Sequence, residues 1–124
     1  MAQTEYVIGI DLGGTNTRIG LVDSNGKIID TIRFSTTQYK DIEPFVEQLS
    51  QSIISLAEKY GLSKDAIKVG IGAPNGNYYN DSIELAPNLP FKGIIPIKAM
   101  LEENLKSRSC SANVVITNDA NASA

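Results

Sequence analysis

Asp11-Leu12-Gly13-Gly14-Thr15 lies between two short apolar runs, Tyr6–Ile10 and Thr17–Val22. This succession limits the local fold more than any other part of the chain. Both runs are short and rich in Val and Ile, the composition of buried strands. Gly13 and Gly14 can adopt backbone angles closed to other residues and let a second group approach the main chain. Successive N–H groups there, with the Thr15 hydroxyl, could form a nest for phosphate oxygens. Asp11, at the strand end, is placed to hold Mg²⁺, a hard cation that prefers oxygen ligands. Arg18 adds a cation nearby. The plain alternative is a hairpin whose glycines only make the turn. Acid, two glycines and threonine together between two strands favour a phosphate site.

The chain has 124 residues, enough for one domain with a core, and its apolar and charged fractions, 42% and 20%, are those of an ordinary globular protein. Its net charge of −3, with no basic run, disfavours nucleic acid as a partner. No signal-peptide pattern opens the chain, and no apolar run is long enough to span a bilayer, so a cytoplasmic location and no membrane partner are expected. Cys110 is the single cysteine and there is no histidine. A histidine-based triad and a Cys/His metal site are thereby excluded within this chain.

Taken in order, strands are expected over Tyr6–Asp11, Thr17–Val22 and Lys27–Phe34. Asn25-Gly26 supplies a hairpin signal between the last two. Residues 35–40 read as a polar loop. A helix follows over Ile42–Tyr60, with Asp41 as N-cap and Gly61 just past its end. Phe45, Leu49, Ile53, Leu56, Ala57 and Tyr60 share one face, which should pack on the sheet. Ile67–Gly72 is a further strand. It leads into Gly70-Ile71-Gly72-Ala73-Pro74-Asn75-Gly76, whose spacing is one residue too long for a dinucleotide fingerprint and which Pro74 interrupts. A strand ending in a loop whose backbone comes close to a ligand fits better, with a plain Gly/Pro connection as the alternative.

Beyond it, Tyr78-Tyr79 and Ile83-Glu84-Leu85 suggest a short extra hairpin. Pro87-Asn88-Leu89-Pro90 is stiff, and would hold the Asn88 side chain in one direction unless it is only a surface loop. A helix over Ile97–Leu105 and a strand over Asn113–Thr117 complete the pattern. Asn118-Asp119-Ala120-Asn121-Ala122-Ser123-Ala124 reads as the first turn of a helix with no stop signal. The chain is therefore expected to be a fragment of something longer. Order β-β-β-α-β-α-β implies a mixed sheet, antiparallel over its first three strands. Asp11, the Gly72–Gly76 loop and Asn118-Asp119 all fall at strand ends, where ligands bind in open α/β sheets.

Four segments, in this order, resemble motifs of the ROK (repressor, open reading frame, kinase) family of sugar kinases. Ile8–Arg18 resembles the family's first phosphate-binding motif, and Gly70-Ile71-Gly72-Ala73-Pro74 its second strand-end loop. Pro87-Asn88-Leu89-Pro90 is similar to its sugar-contacting segment, and Asn118-Asp119-Ala120-Asn121 to the motif that carries the catalytic aspartate. In one place the chain departs from the pattern: Asn75 stands where the family commonly has glycine.

The resemblance implies an α/β actin-like ATPase (ribonuclease H-like) lobe. Residues 1–124 would be the N-terminal lobe of two, cut at the start of a helix. It implies an ATP-dependent hexose kinase acting on the 6-hydroxyl of glucose or a similar sugar, with ATP and Mg²⁺ as cofactors. The full-length protein would be a homodimer, with structural zinc only in the missing lobe. By the same resemblance Asp119 is the catalytic base, and Asp11, Gly13, Gly14, Thr15 and Arg18 bind ATP phosphates and Mg²⁺. Gly72, Pro74, Asn75, Asn88, Asn118 and Asp119 contact the sugar. Taken alone, Asp119 also suits a helix N-cap. Two other readings are a sugar-sensing regulator and another actin-like ATPase. The family's repressors carry a helix-turn-helix ahead of the first motif, for which five residues leave no room.

Overall fold

The computed structural model describes residues 6–13, 15–73, 76–77, 82–84 and 94–118. β1 (Tyr6–Leu12), β2 (Asn16–Asp23) and β3 (Ile28–Ser35) form an antiparallel meander. A 3₁₀ turn at Thr36–Gln38 leads to helix α1 (Ile42–Lys59) and then to β4 (Ile67–Ala73). Three short strands follow, β5 (Gly76–Asn77), β6 (Ser82–Glu84) and β7 (Ile94–Ile95), before helix α2 (Ile97–Ser107) and β8 (Ala112–Asn118). The main sheet runs β3-β2-β1-β4-β8, with β1, β4 and β8 parallel.

Five strands and two helices thus lie where the sequence pattern puts them. The expected order lacks the small sheet β5-β6-β7. Its strands are too short for a period of two to register. In this region Gly76–Asn77 pairs antiparallel with Ser82–Ile83; of the hairpin expected from Tyr78-Tyr79 and Ile83-Glu84-Leu85, only Ile83-Glu84 is described, as part of β6. Tyr78, Tyr79 and Leu85 lie outside the described residues, as do the expected helical turn from Asp119 and the Pro87–Pro90 segment.

Alternation accounts for the sheet's inner face. Ile8, Ile10 and Leu12 of β1, Ile19 and Leu21 of β2, Val69 and Ile71 of β4, and Val114 and Ile116 of β8 are all buried. Against them lie Phe45, Leu49, Ile53, Leu56 and Ala57 of α1, the predicted helix face, with Ile97, Leu101 and Leu105 of α2. Asp41 is the N-cap residue but makes no side-chain cap hydrogen bond. At the other end Gly61 takes φ +67°, and the Gly61 and Leu62 N–H groups donate to the Glu58 and Ala57 carbonyls, closing a Schellman motif. Asp30 of β3 accepts hydrogen bonds from Lys59 Nζ (2.8 Å) and the Tyr60 hydroxyl (2.9 Å), tying strand to helix. These two donors, Lys59 foremost, hold the Asp30 carboxyl below the usual carboxylate range.

Residues 35–40 are not simply a polar loop. Thr36 is fully buried, and Tyr39 packs edge-on against Phe34 and Phe45, each pair of ring centroids 5.8 Å apart. Cys110 is buried, and burial pushes its thiol pKa up, as suits a packing residue rather than a nucleophile. Among the described residues no helix is long and apolar enough to cross a membrane.

Candidate functional site at the carboxyl ends of three parallel strands

Parallel register fixes which residues meet. Asp11 of β1 is opposite Gly72 of β4, Gly72 is opposite Thr117 of β8, and Ala73 is opposite Asn118. With strands spaced about 4.8 Å apart, Asp11 and the Thr117–Asn118 backbone lie roughly 10 Å from each other across Gly72. Asp11, Gly72 and the Asn118 backbone, widely separated in sequence, therefore share one edge of the sheet. The β1–β2 turn adjoins this edge.

The turn is held from both sides. The Gly13 N–H donates to the Asn16 carbonyl at 3.1 Å, and the Thr36 N–H donates to the Thr15 carbonyl at 2.8 Å. The hydroxyls of Thr17 and Thr36, both fully buried, are hydrogen-bonded at 2.6 Å. Two adjacent contacts from the 3₁₀ turn thus clamp the segment that carries Thr15. Thr17 alternates with Ile19 and Leu21, so its inward position was legible. That its partner would be Thr36 was not, because this pairing crosses two strands.

The Gly13 N–H is engaged within the turn, which corrects the expectation that it is free to join a phosphate nest. Gly13 contributes its lack of a side chain. A Cβ there would stand 2.7 Å from the Asn16 carbonyl oxygen, a backbone atom that cannot yield alone. Gly13→Ala should therefore displace the turn while leaving the core intact. If the turn holds the phosphates of a phosphoryl donor, as the resemblance implies, the same change lowers kcat/KM for that donor in the full-length protein by about 10²-fold, the effect of a misplacement of roughly 1 Å. Steady-state kinetics beside a thermal melt would check this, and unchanged donor kinetics would overturn it.

Asp11, Thr15 and Arg18 are exposed, and Arg18 stands directly opposite Asp11 in the β1–β2 register. Among the described residues the Asp11 carboxylate has no ion pair or hydrogen bond, so its oxygens are available to a cation. One free carboxylate beside such a turn is the kind of ligand Mg²⁺ takes, since that ion keeps several waters and binds through one or two carboxylates. Gly72 is buried at the centre of the row. Gly14, Pro74, Asn75, Asn88 and Asp119 lie outside the described residues.

Comparison with known proteins places this arrangement. Residues 7–124 match the ROK family model. A glucokinase from Thermotoga maritima is 31% identical over 117 residues, covering 94% of this chain and 34% of that protein. The crystal structure of a ROK family glucokinase from Streptomyces griseus, in complex with glucose and AMPPNP, is 28% identical with a TM-score of 0.74. The match covers 95% of this chain and 34% of that one. A ROK family transcriptional regulator, homologous to the E. coli MLC protein, shares the fold at 14% identity and a TM-score of 0.61, over 92% of this chain and 28% of its own. The chain thus spans about a third of the length of the curated relatives it matches. Its mixed five-stranded sheet has the actin-like ATPase fold of these neighbours. With a family match that runs from β1 through the last residue, the chain belongs to the ROK family.

Proposed function

We propose that the full-length protein is an ATP-dependent hexose kinase of which this chain is the N-terminal lobe. It transfers the terminal phosphoryl group of ATP to the 6-hydroxyl of glucose or a similar hexose, the entry step of sugar breakdown, in the cytoplasm and as a homodimer. The observation that carries this reading is the row Asp11–Gly72–Thr117, with the clamped Gly-Thr turn at one end and Asn118 at the other. One end of the row suits phosphate and the other lies next to a carboxylic acid, Asp119. Phosphoryl transfer needs little else from the protein than positioning and stabilisation of charge.

Each residue then has a role. Gly14 and Thr15 hold phosphate oxygens, Gly13 lets them approach, and Arg18 balances their charge. Asp11 holds Mg²⁺, directly or through water. When bound, Mg²⁺ neutralises charge on the transferring phosphates. Gly72, Pro74 and Asn75 border the sugar, and Asn88 and Asn118 fix its hydroxyls through paired donor and acceptor contacts. Asp119 accepts the proton from the attacking hydroxyl. The 124-residue chain alone, without the second lobe, is expected to be inactive.

A sugar-responsive regulator is the second reading, favoured by the fold that this chain shares with a ROK transcriptional regulator. ADP production by the full-length protein with Mg-ATP and glucose, mannose, fructose or N-acetylmannosamine separates the two. Sugar-dependent turnover, strongest on glucose, is expected. Turnover strongest on another of the four would move the specificity and keep the mechanism. Sugar binding without turnover on any would give the regulator reading its place. ATP hydrolysis indifferent to sugar would point to another kind of actin-like ATPase.

A further inference from the structure

The two antiparallel registers of the meander continue the site's row outward. Asp11 is opposite Arg18, and Arg18 is opposite Arg33 of β3. Arg18 and Arg33 each alternate with inward residues, Thr17 and Ile19 in β2, Ile32 and Phe34 in β3. Both arginines therefore stand on the face turned away from the helices, and both are exposed. Like charges directly opposite one another destabilise a sheet. Their neighbours on the same face, Asn16 and Gly20 in β2, Thr31 and Ser35 in β3, are uncharged. Among the described residues β3 is the edge of the main sheet, and no further strand of it supplies a carboxylate to Arg33.

The third arginine of the chain, Arg108, is paired with Glu47 at 3.1 Å. Among the described residues the side chains of Arg18 and Arg33 have no ion pair or hydrogen bond. Two unneutralised guanidinium groups, side by side and one strand from a free carboxylate, are arranged for an anion that supplies more than one charged oxygen. Asp11 to Arg33 covers two strand spacings, roughly 10 Å, longer than a single phosphate group needs.

We propose that Arg18 and Arg33 together bind a linear phosphate chain, the polyphosphate part of the phosphoryl donor, and that Arg33 is a binding residue for it. This rests on the phosphoryl-donor reading of the Asp11–Thr15 turn and extends that site onto β3. The shared chemistry is a chain of linked phosphates, carried by a nucleoside triphosphate or by inorganic polyphosphate. Arg33 reads charge and shape at one end of the ligand and takes no part in the chemical step.

The test is calorimetric titration of the full-length protein, at low salt and without sugar, with ATP, tripolyphosphate and orthophosphate in separate arms. Arg33→Gln is compared with wild type. Lys68→Gln, a charge change on the same face opposite Val7, is the control. ATP or tripolyphosphate should bind wild type well above orthophosphate, and Arg33→Gln should weaken that binding tenfold or more. Lys68→Gln should stay within twofold. Binding of tripolyphosphate as well as ATP would make the phosphate chain alone sufficient, and binding of ATP only would make the ligand a nucleotide. No saturable binding by wild type, equal affinity for orthophosphate, or an Arg33→Gln variant that binds as wild type does would overturn the assignment. Loss in Lys68→Gln equal to that in Arg33→Gln would also overturn it, reducing the effect to net charge. Sugar-dependent ADP production is read separately. Its absence alongside Arg33-dependent binding would sink the kinase reading and leave this one standing.

Discussion

Asp119→Ala in the full-length protein is expected to lower kcat for sugar phosphorylation by about 10²–10⁴-fold, the usual contribution of a positioned general base. Glucose affinity should change only a few-fold, because the proposed sugar contacts of Asn88 and Asn118 would remain. A pH profile adds a second readout. In the native protein kcat should fall as pH drops through the carboxylate range, and the variant's residual rate should lose that dependence. Turnover near the wild-type value would remove Asp119 from the mechanism. An equal loss of sugar binding and turnover would make it a binding residue instead. The motivation lies one residue upstream. Asn118 stands opposite Ala73, next to the Gly72 that faces Asp11. Asp119 follows Asn118 in sequence, and Asn118 lies at the same end of the sheet as the β1–β2 turn.

Phe45→Ala should cost about 3–5 kcal/mol of folding stability, the usual range for removing a buried aromatic ring. Phe45 is fully buried, and its ring meets Phe34 of β3 and Tyr39 edge-on at 5.8 Å. The substitution therefore removes the contact between helix, edge strand and the segment after the 3₁₀ turn, beyond leaving a void. A domain of this size has only about 5–15 kcal/mol in total. The loss corresponds to a melting temperature lower by about 10–20 °C. Thermal or urea unfolding measures it directly, and a shift of only a degree or two would mean that the three rings are not a unit of the core.

Much of this architecture could be read before any coordinates. Ile8, Ile10 and Leu12 alternate, as do Thr17, Ile19 and Leu21, and Phe45, Leu49, Ile53 and Leu56 recur at helical spacing; in each case burial follows the pattern. Such periodicity is local and survives without knowledge of the partner. What could not be read is non-local. Nothing near Thr17 says that Thr36 will accept or donate to its hydroxyl, and nothing near Arg18 says that Arg33 will face it. The engagement of the Gly13 N–H was hidden for a different reason: two glycines permit many turns, and only the geometry selects one. Asp11, Gly72 and Asn118 were each identifiable as strand-end residues. Their common row required the strand order, which sequence spacing does not determine.

That strand order also divides the molecule in time. β1, β2 and β3 pair with their neighbours in sequence, whereas the parallel contacts join Val7 to Lys68 and Ile67 to Ala112. Closing the longer loops costs more chain entropy before any contact is gained, so such pairings form slowly. The meander, with Gly13 and Thr15 at its first bend, can assemble while the rest of the chain is still searching. Gly72 and Asn118 reach their places only after β4 and β8 have docked. The end of the row at the β1–β2 turn can thus form early in folding, and the Asn118 end is completed last.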